Sequence, residues 1–177
     1  MLGVGINFDN LKIPDDILDH YKLLLERTER MRKLPIHTST GYGGPWIENH
    51  FIKRYFNRPL ESFNGLVPLF VQFVDIHVND FRTKKRPNPT LKETAAELIS
   101  LLRDDIMYVV VSQDDQGITA ALFEKKPNIL VISAGGYGHI PIPLVKGELS
   151  YIPPRPSRKY VWDVGFCGMT TDNNTAF

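Results

Sequence analysis

Two adjacent carboxylates at the end of an apolar run are the residues of this sequence best suited to do chemistry. They are Asp114 and Asp115 in the stretch VVVSQDDQGITAALF, which places carboxylates, amides and a glycine directly after a strand-like segment. A carboxylate at the mouth of a cleft can be desolvated enough to accept a hydroxyl proton near neutral pH. The structural alternative is that one aspartate caps a short helix predicted near residues 118–124, while the other is solvated.

A second polar segment, SAGGYGH, follows the next predicted strand. Backbone amides of a glycine-rich loop can hold a phosphate group, but here the spacing is not that of a dinucleotide-binding fingerprint. The prolines of IPIPLV directly after it oppose the helix that such a site requires. A tight turn that lets a ligand approach the backbone fits these residues better.

Residues 36–66 are rich in glycine, aromatic and polar residues, which is typical of a long ordered loop with one short helix at about 45–55. In this loop, Trp46 offers a flat amphipathic surface that suits either stacking on a sugar ring or burial in the core. Glu48 and His50 lie close by in the sequence and are candidates for contact with a ligand.

The spacing of histidine, cysteine and aspartate residues predicts no catalytic metal. His50, His77 and His139 form no H-x-x-x-H pair, and Cys167 is the single cysteine. No two aspartates are separated by one residue, so the D-x-D pairing that holds a divalent ion on a nucleotide diphosphate is missing.

Composition restricts the class of protein. The chain has 177 residues, 42% of them hydrophobic and 23% charged, which is typical of one globular domain with a sizeable core. A formal net charge of +1 provides no field for nucleic acid, and the short basic run FRTKKRP is typical of a solvated loop. We find no secretory leader and no apolar run long enough to cross a bilayer, so the sequence predicts no membrane segment.

The elements that must position these residues alternate along the chain. Helices are predicted in PDDILDHYKLLLERTERMRKL, with Leu18 on its apolar face, and in NPTLKETAAELISLLRDD, where Thr90 and Glu93 form a capping box. Strands are predicted in VPLFVQFVDIHV, IMYVVVS, NILVIS and KYVWDVGFCG, and more weakly in GVGINF.

This alternation predicts an α/β fold: a Rossmann-like, mostly parallel sheet with helices on both faces. Ligands of such sheets bind outside the carboxyl ends of the strands. The loops after Val111 and Ile132 should therefore lie on the same edge of the sheet.

Three segments in order carry a family resemblance: LRDDIMYVVVSQDDQGI, PNILVISAGGYGHIPIPLV and RPSRKYVWDVGFCGMTTDNN. Their order and spacing resemble the S-x-D/N-D-x-G, G-x-x-x-P-I/L-P and F-x-G motifs of exostosin-like glycosyltransferases. The upstream NGLVPLFVQFVDI is similar to a proline-rich and aromatic strand segment of that family. The resemblance covers residues 40 to 172.

The resemblance implies one lobe of a GT-B type fold and an inverting transfer of a sugar from a nucleotide diphosphate donor to a glycan hydroxyl. The nucleotide sugar is a co-substrate, and no metal or other cofactor is implied. Residues 1–160 would form the acceptor-side lobe, and residues 161–177 would begin the link to a missing second lobe. The chain would then be a fragment of a longer enzyme or a solitary lobe, and in both cases the donor-binding residues that the family has further on would be missing.

Carried over by motif, Asp114 or Asp115 would be the base that deprotonates the acceptor. The residues implied to line the acceptor groove are Gln113, Gly117, Gly135, Gly136, Tyr137 and His139, while Gly168 and Thr170 would face the donor. Trp46, Glu48 and His50 join the acceptor set on loop chemistry alone.

The alternative is a non-catalytic glycan-binding or interaction module. We expect a cytoplasmic setting, viral or microbial, and a Golgi setting only if an N-terminal anchor was removed.

Overall fold

The structure, a computed structural model, describes residues 14–37, 45–83, 90–113, 126–134 and 138–143, with the backbone alone at 79–83. The chain divides into two compact units, Met1–Gly147 and Glu148–Phe177, and every described residue belongs to the first. The strands predicted in GVGINF and KYVWDVGFCG, the helix near 118–124 and the predicted link at 161–177 therefore lie outside the described residues.

The centre of the fold is a sheet of four described strands in the order β1-β2-β3-β4, and every pairing is parallel. The strands are β1 (Val67–Leu69), β2 (Tyr108–Ser112), β3 (Ile129–Ala134) and β4 (Ile140–Ile142). All residues of β1 and β2 are buried, as expected for a parallel sheet covered on both faces. The predicted α/β, Rossmann-like class is confirmed.

The described helices precede β1 or lie in the connection between β1 and β2. They are α1 (Ile17–Arg27), α2 (Glu29–Arg32), α3 (Ile47–Tyr55), a 3₁₀ turn (Leu60–Phe63), α4 (Phe73–Thr83) and α5 (Leu91–Leu101). The capping box at the start of α5 is confirmed, because the Thr90 hydroxyl accepts from Glu93 N at 3.1 Å and the Glu93 carboxylate accepts from Thr90 N at 3.0 Å.

The prediction of one long strand in VPLFVQFVDIHV is wrong, since β1 ends at Leu69 and α4 begins at Phe73. A continuous apolar run fits a buried helix as well as a buried strand. Phe73 and Ile76, three residues apart, are both about 1% exposed or less, which is the spacing of one helical face.

Two further predictions need correction. Leu18 is 47% exposed, because the buried stripe of α1 runs through Ile17, Tyr21 and Leu24 and leaves Leu18 at its margin. The sequence analysis predicts no strand in IPIPLV, where the structure has β4. Pro141 is tolerated there because β4 lies at the edge of the described sheet, where a strand has one side without a described partner.

The core lies between the sheet and the helices. Its largest fully buried side chains include Tyr108, Phe70, Phe73, Leu24, Met31, Ile76, Leu98, Ile106 and Ile129. Within the described residues, we find no helix with the length and apolar character needed to span a membrane.

Candidate functional site

The carboxyl ends of β1 and β2 meet a cluster of polar side chains, most of them buried, that we call the polar junction. Its members are Trp46, Glu48, Asn49, Gln72, Asp75 and Gln113. Because β1 and β2 run parallel, the segments that follow Leu69 and Ser112 emerge at the same edge of the sheet. This is the edge at which α/β proteins bind ligands.

Glu48 ties three elements together inside the junction. Its side chain is fully buried, at 0% exposure. Oε1 accepts a hydrogen bond from Val74 N in α4 at 2.8 Å, and Oε2 accepts one from Gln113 N, just after β2, at 3.0 Å. The carboxylate of α3 thus holds both the first turn of α4 and the exit of β2.

Asp75 is the second buried carboxylate, also at 0% exposure. Oδ1 accepts from His37 N at 2.7 Å and from the Trp46 indole at 3.1 Å. Oδ2 accepts from the side-chain amides of Asn49 and Gln72, both at 2.9 Å. Four donors therefore converge on one carboxylate, which joins the segment after α2 to α3 and α4.

Two amide side chains complete the junction. Gln72 pairs with the backbone of Leu34, donating to its carbonyl at 3.1 Å and accepting from its N–H at 2.8 Å. Gln113 Oε1 accepts from Ile47 N at 3.0 Å, which satisfies one of the unpaired donors at the start of α3. Asn49 Oδ1 accepts from Trp46 N at 2.6 Å at the same helix start.

Burial dominates the electrostatics of the junction. It raises the pKa of the Glu48 carboxyl to about 7; the hydrogen bonds from Val74 N and Gln113 N oppose the increase, and the negative charge of Asp75 adds to it. In the part of the chain that the structure describes, no lysine, arginine or histidine forms an ion pair with either carboxylate. The hydrogen bonds that the described residues make to these two carboxylates come from neutral donors.

This arrangement has a direct consequence for what the junction can do. Both oxygens of Glu48 and both oxygens of Asp75 already accept protein donors, so neither carboxylate is presented to a ligand in this conformation. Their role is positional. They fix the start of α3 and the backbone of Gln113, the residue that comes immediately before Asp114 and Asp115 in the chain.

The structure brings three of the predicted site residues together, namely Trp46, Glu48 and Gln113. Trp46 is 6% exposed, with its indole held by Asp75. His50 is exposed on α3. The remaining predicted residues, apart from His139, lie outside the described part of the chain: Asp114, Asp115, Gly117, Gly135, Gly136, Tyr137, Gly168 and Thr170.

His139 lies away from the polar junction, on the β4 side of β3. Its backbone N–H donates to the Val131 carbonyl at 2.8 Å, and its ring Nδ1 accepts from Val131 N at 3.0 Å. Burial lowers the pKa of this imidazole. The preceding Gly138 is also tightly packed, because a Cβ there would lie 2.8 Å from the Val131 carbonyl oxygen.

Gln72 and Asp75 are two junction residues that the sequence analysis missed. The available signal was that both interrupt the apolar run VPLFVQFVDIHV three residues apart, which is the spacing of neighbours on a helix. Buried polar residues at such positions need partners, so they predict a hydrogen-bonded cluster.

Within the described residues, no group of three or more histidine, cysteine, aspartate or glutamate side chains is arranged to hold a metal ion. Comparisons of the chain with protein-family models, curated proteins and solved structures gave no significant match.

Proposed function

We propose that this chain is the acceptor-side lobe of an exostosin-like glycosyltransferase of the GT-B type. The reaction is inverting transfer of a sugar from a nucleotide diphosphate donor to a glycan hydroxyl, with the donor held mainly by a second lobe. The three ordered motifs that resemble this family are the reason for naming this reaction class.

One structural observation supports the proposal most. The strand β2 ends at Ser112, and the next residue is locked by Glu48 at the carboxyl edge of a parallel sheet. The acidic pair Asp114 and Asp115 follows at once in the sequence. A base needs a rigid support, because misplacement of about 1 Å can lower a rate by about 10²-fold.

In the proposed reaction, the acceptor hydroxyl attacks the anomeric carbon as the bond to the nucleotide diphosphate breaks. Asp114 or Asp115 takes the hydroxyl proton, and the diphosphate leaves with the bonding electron pair. Loss of a general base lowers rates by about 10²- to 10⁴-fold. Replacing the true base by asparagine should therefore reduce turnover by at least about 10²-fold in an enzyme that includes both lobes.

A non-catalytic glycan-binding module is the second candidate. It is favoured by the observation that both described buried carboxylates, Glu48 and Asp75, are occupied by protein donors. A module of this kind would bind glycan at the same edge and would need no donor lobe.

Saturation-transfer NMR on the 177-residue chain tests the proposal with two ligand sets: chitobiose, cellobiose and lactose as glycans, and UDP-glucose and UDP-N-acetylglucosamine as donors. Asp114→Asn and Asp115→Asn are compared with Asp104→Asn, the matched control from the acidic pair that precedes β2. We expect glycan binding without nucleotide, weakened by one of the first two variants and unchanged in the control.

Nucleotide-sugar binding without glycan binding would contradict the assignment of this lobe to the acceptor. Glycan binding that is equally strong in all three variants would remove Asp114 and Asp115 from the site. The two candidate functions are separated by adding the second lobe in trans or in cis: sugar transfer identifies an enzyme, and binding without transfer identifies a module.

A further inference from the structure

Glu48 is placed to control the geometry of the β2 exit, because its contacts form a closed loop with Gln113. The Glu48 carboxylate accepts from Gln113 N at 3.0 Å, and the Gln113 side chain accepts from Ile47 N at 3.0 Å. The Glu48 carboxylate therefore holds the Gln113 backbone just after β2, and the Gln113 side chain holds the Ile47 backbone at the start of α3. Neither end can shift without breaking one of these two part-buried hydrogen bonds.

Protonation of Glu48 would change this geometry. Each oxygen of the ionised carboxylate faces a backbone N–H, from Val74 and from Gln113. In a protonated carboxyl the carbonyl oxygen remains a good acceptor, but the hydroxyl oxygen accepts only weakly, so the hydrogen bond from one of the two N–H donors is weakened. A hydrogen bond to a charged acceptor contributes more to stability than one to a neutral acceptor, so the local backbone is expected to rearrange when the charge is lost.

The surroundings of Glu48 favour proton uptake close to neutral pH. The charged group that faces it is Asp75 of α4, which is negative, and the groups from β2 and the first turn of α4 are neutral backbone amides. The described residues supply no cation to hold the carboxylate ionised.

We propose that Glu48 is a proton-sensitive positioning residue: its ionised form fixes the Gln113 backbone at the carboxyl edge, and its neutral form releases it. The proposal rests on the proposed function, since a fixed Gln113 backbone supports Asp114 and Asp115, which follow it in the sequence. It differs from the acceptor-contact role predicted from the sequence, because Glu48 acts through Gln113.

The amide of Gln113 provides the first readout and needs no ligand. In ¹⁵N-labelled wild-type protein, the Gln113 amide should titrate with a midpoint near the Glu48 pKa of about 7, well above the ordinary glutamate value of 4.5. Glu48→Gln should abolish this transition, and Glu97→Gln, a half-buried glutamate on α5, should leave it unchanged. A Gln113 amide that titrates only near 4.5, or that keeps its transition in Glu48→Gln, would overturn the proposal.

The second readout is the pH profile of glycan binding, measured with the chitobiose, cellobiose and lactose set between pH 6 and 8. Wild-type affinity should fall by up to about 10-fold on acidification, as expected for loss of one hydrogen bond to a charged group. Glu48→Gln should bind with a flat profile, and Glu48→Asp should restore part of the pH dependence.

The outcomes separate this proposal from the proposed function. Titration of Gln113 through Glu48 without binding of any sugar would keep the positioning role and contradict the acceptor lobe. Sugar binding with the same pH profile in wild type and Glu48→Gln would keep the acceptor lobe and overturn the positioning role. If Glu48→Gln does not fold, the wild-type midpoint of Gln113 still decides, because a midpoint near 4.5 contradicts the proposal.

Discussion

Replacing Asp75 with alanine removes the acceptor shared by four donors of the polar junction. The donors are His37 N, the Trp46 indole and the side-chain amides of Asn49 and Gln72, at 2.7, 3.1, 2.9 and 2.9 Å. The acceptor is buried, since Asp75 is 0% exposed and Trp46, which packs at it, is 6% exposed. Water is therefore poorly placed to replace the lost acceptor.

The magnitude follows from the number of donors left without a partner. Each buried donor that loses its acceptor costs about 1–3 kcal/mol. Relaxation of the side chains and removal of a buried charge offset part of that sum. We expect Asp75→Ala to lower the free energy of unfolding by about 3–5 kcal/mol, and Asp75→Asn, which keeps one acceptor oxygen, by about 2 kcal/mol.

Urea unfolding followed by tryptophan fluorescence measures these values. The chain contains two tryptophans, so a Trp162→Phe background leaves Trp46, whose indole donates to Asp75, as the single emitter. Asp19→Asn is the control, because its side chain is 82% exposed. If Asp75→Ala lowers the free energy of unfolding by less than about 1 kcal/mol, the account of the junction is refuted, because even two buried donors without an acceptor should cost more.

Three further predictions concern other parts of the fold. Thr90→Ala removes the cap of α5 and should cost about 1 kcal/mol in urea unfolding, and a neutral effect would contradict the role of the capping box. Gly138→Ala places a Cβ against the Val131 carbonyl oxygen and should lower the free energy of unfolding by about 1–3 kcal/mol in the same assay. An unchanged unfolding midpoint would contradict the close packing of Gly138 against β3. Burial and the nearby positive charge of Arg103 lower the pKa of His20, whose Nε2 lies 2.8 Å from the Tyr108 hydroxyl. The stability that neutral His20 contributes is therefore complete above the ordinary pKa of 6.5 and is lost as the pH falls through the lowered pKa of the folded state. His20→Gln should flatten the pH dependence of the free energy of unfolding between pH 7.5 and 5.5. An unchanged slope would contradict this assignment.

Local sequence rules predict much of the architecture because several elements carry signals that are complete within a few residues. The Thr90 and Glu93 pair specifies the start of α5, and the uninterrupted VVV of β2 specifies a buried strand. The parallel order follows from the alternation of helices and strands. These signals do not depend on distant contacts.

The long strand predicted after Val67 is wrong for a nonlocal reason. The α4 segment is apolar on its buried face, so its composition would also suit a strand. In the helical conformation, however, Gln72 and Asp75 form hydrogen bonds with Leu34, His37 and Asn49. Those partners come from segments up to 38 residues away. Local periodicity contains no information about them.

The candidate site is predictable in its location and less so in its contacts. Gln113 was expected at the carboxyl edge, and it is there because parallel strands align their ends. The burial of Glu48 and its bond to Gln113 depend on how α3 packs against β2, which a loop-like sequence does not specify. His139 was expected beside an acceptor groove, and the structure shows its ring bonded to the β3 backbone.

A chemical-shift map of glycan binding tests the central claim most directly. The ¹⁵N-labelled chain would be titrated with the chitobiose, cellobiose and lactose set at pH 8, where the ionised form of Glu48 predominates. The account predicts that the largest changes occur at the Gln113 amide, with Arg103 and Asp105 at the opposite end of β2 unaffected. Changes centred on Arg103 and Asp105, or no change at millimolar sugar, would contradict an acceptor site at the carboxyl edge of this sheet.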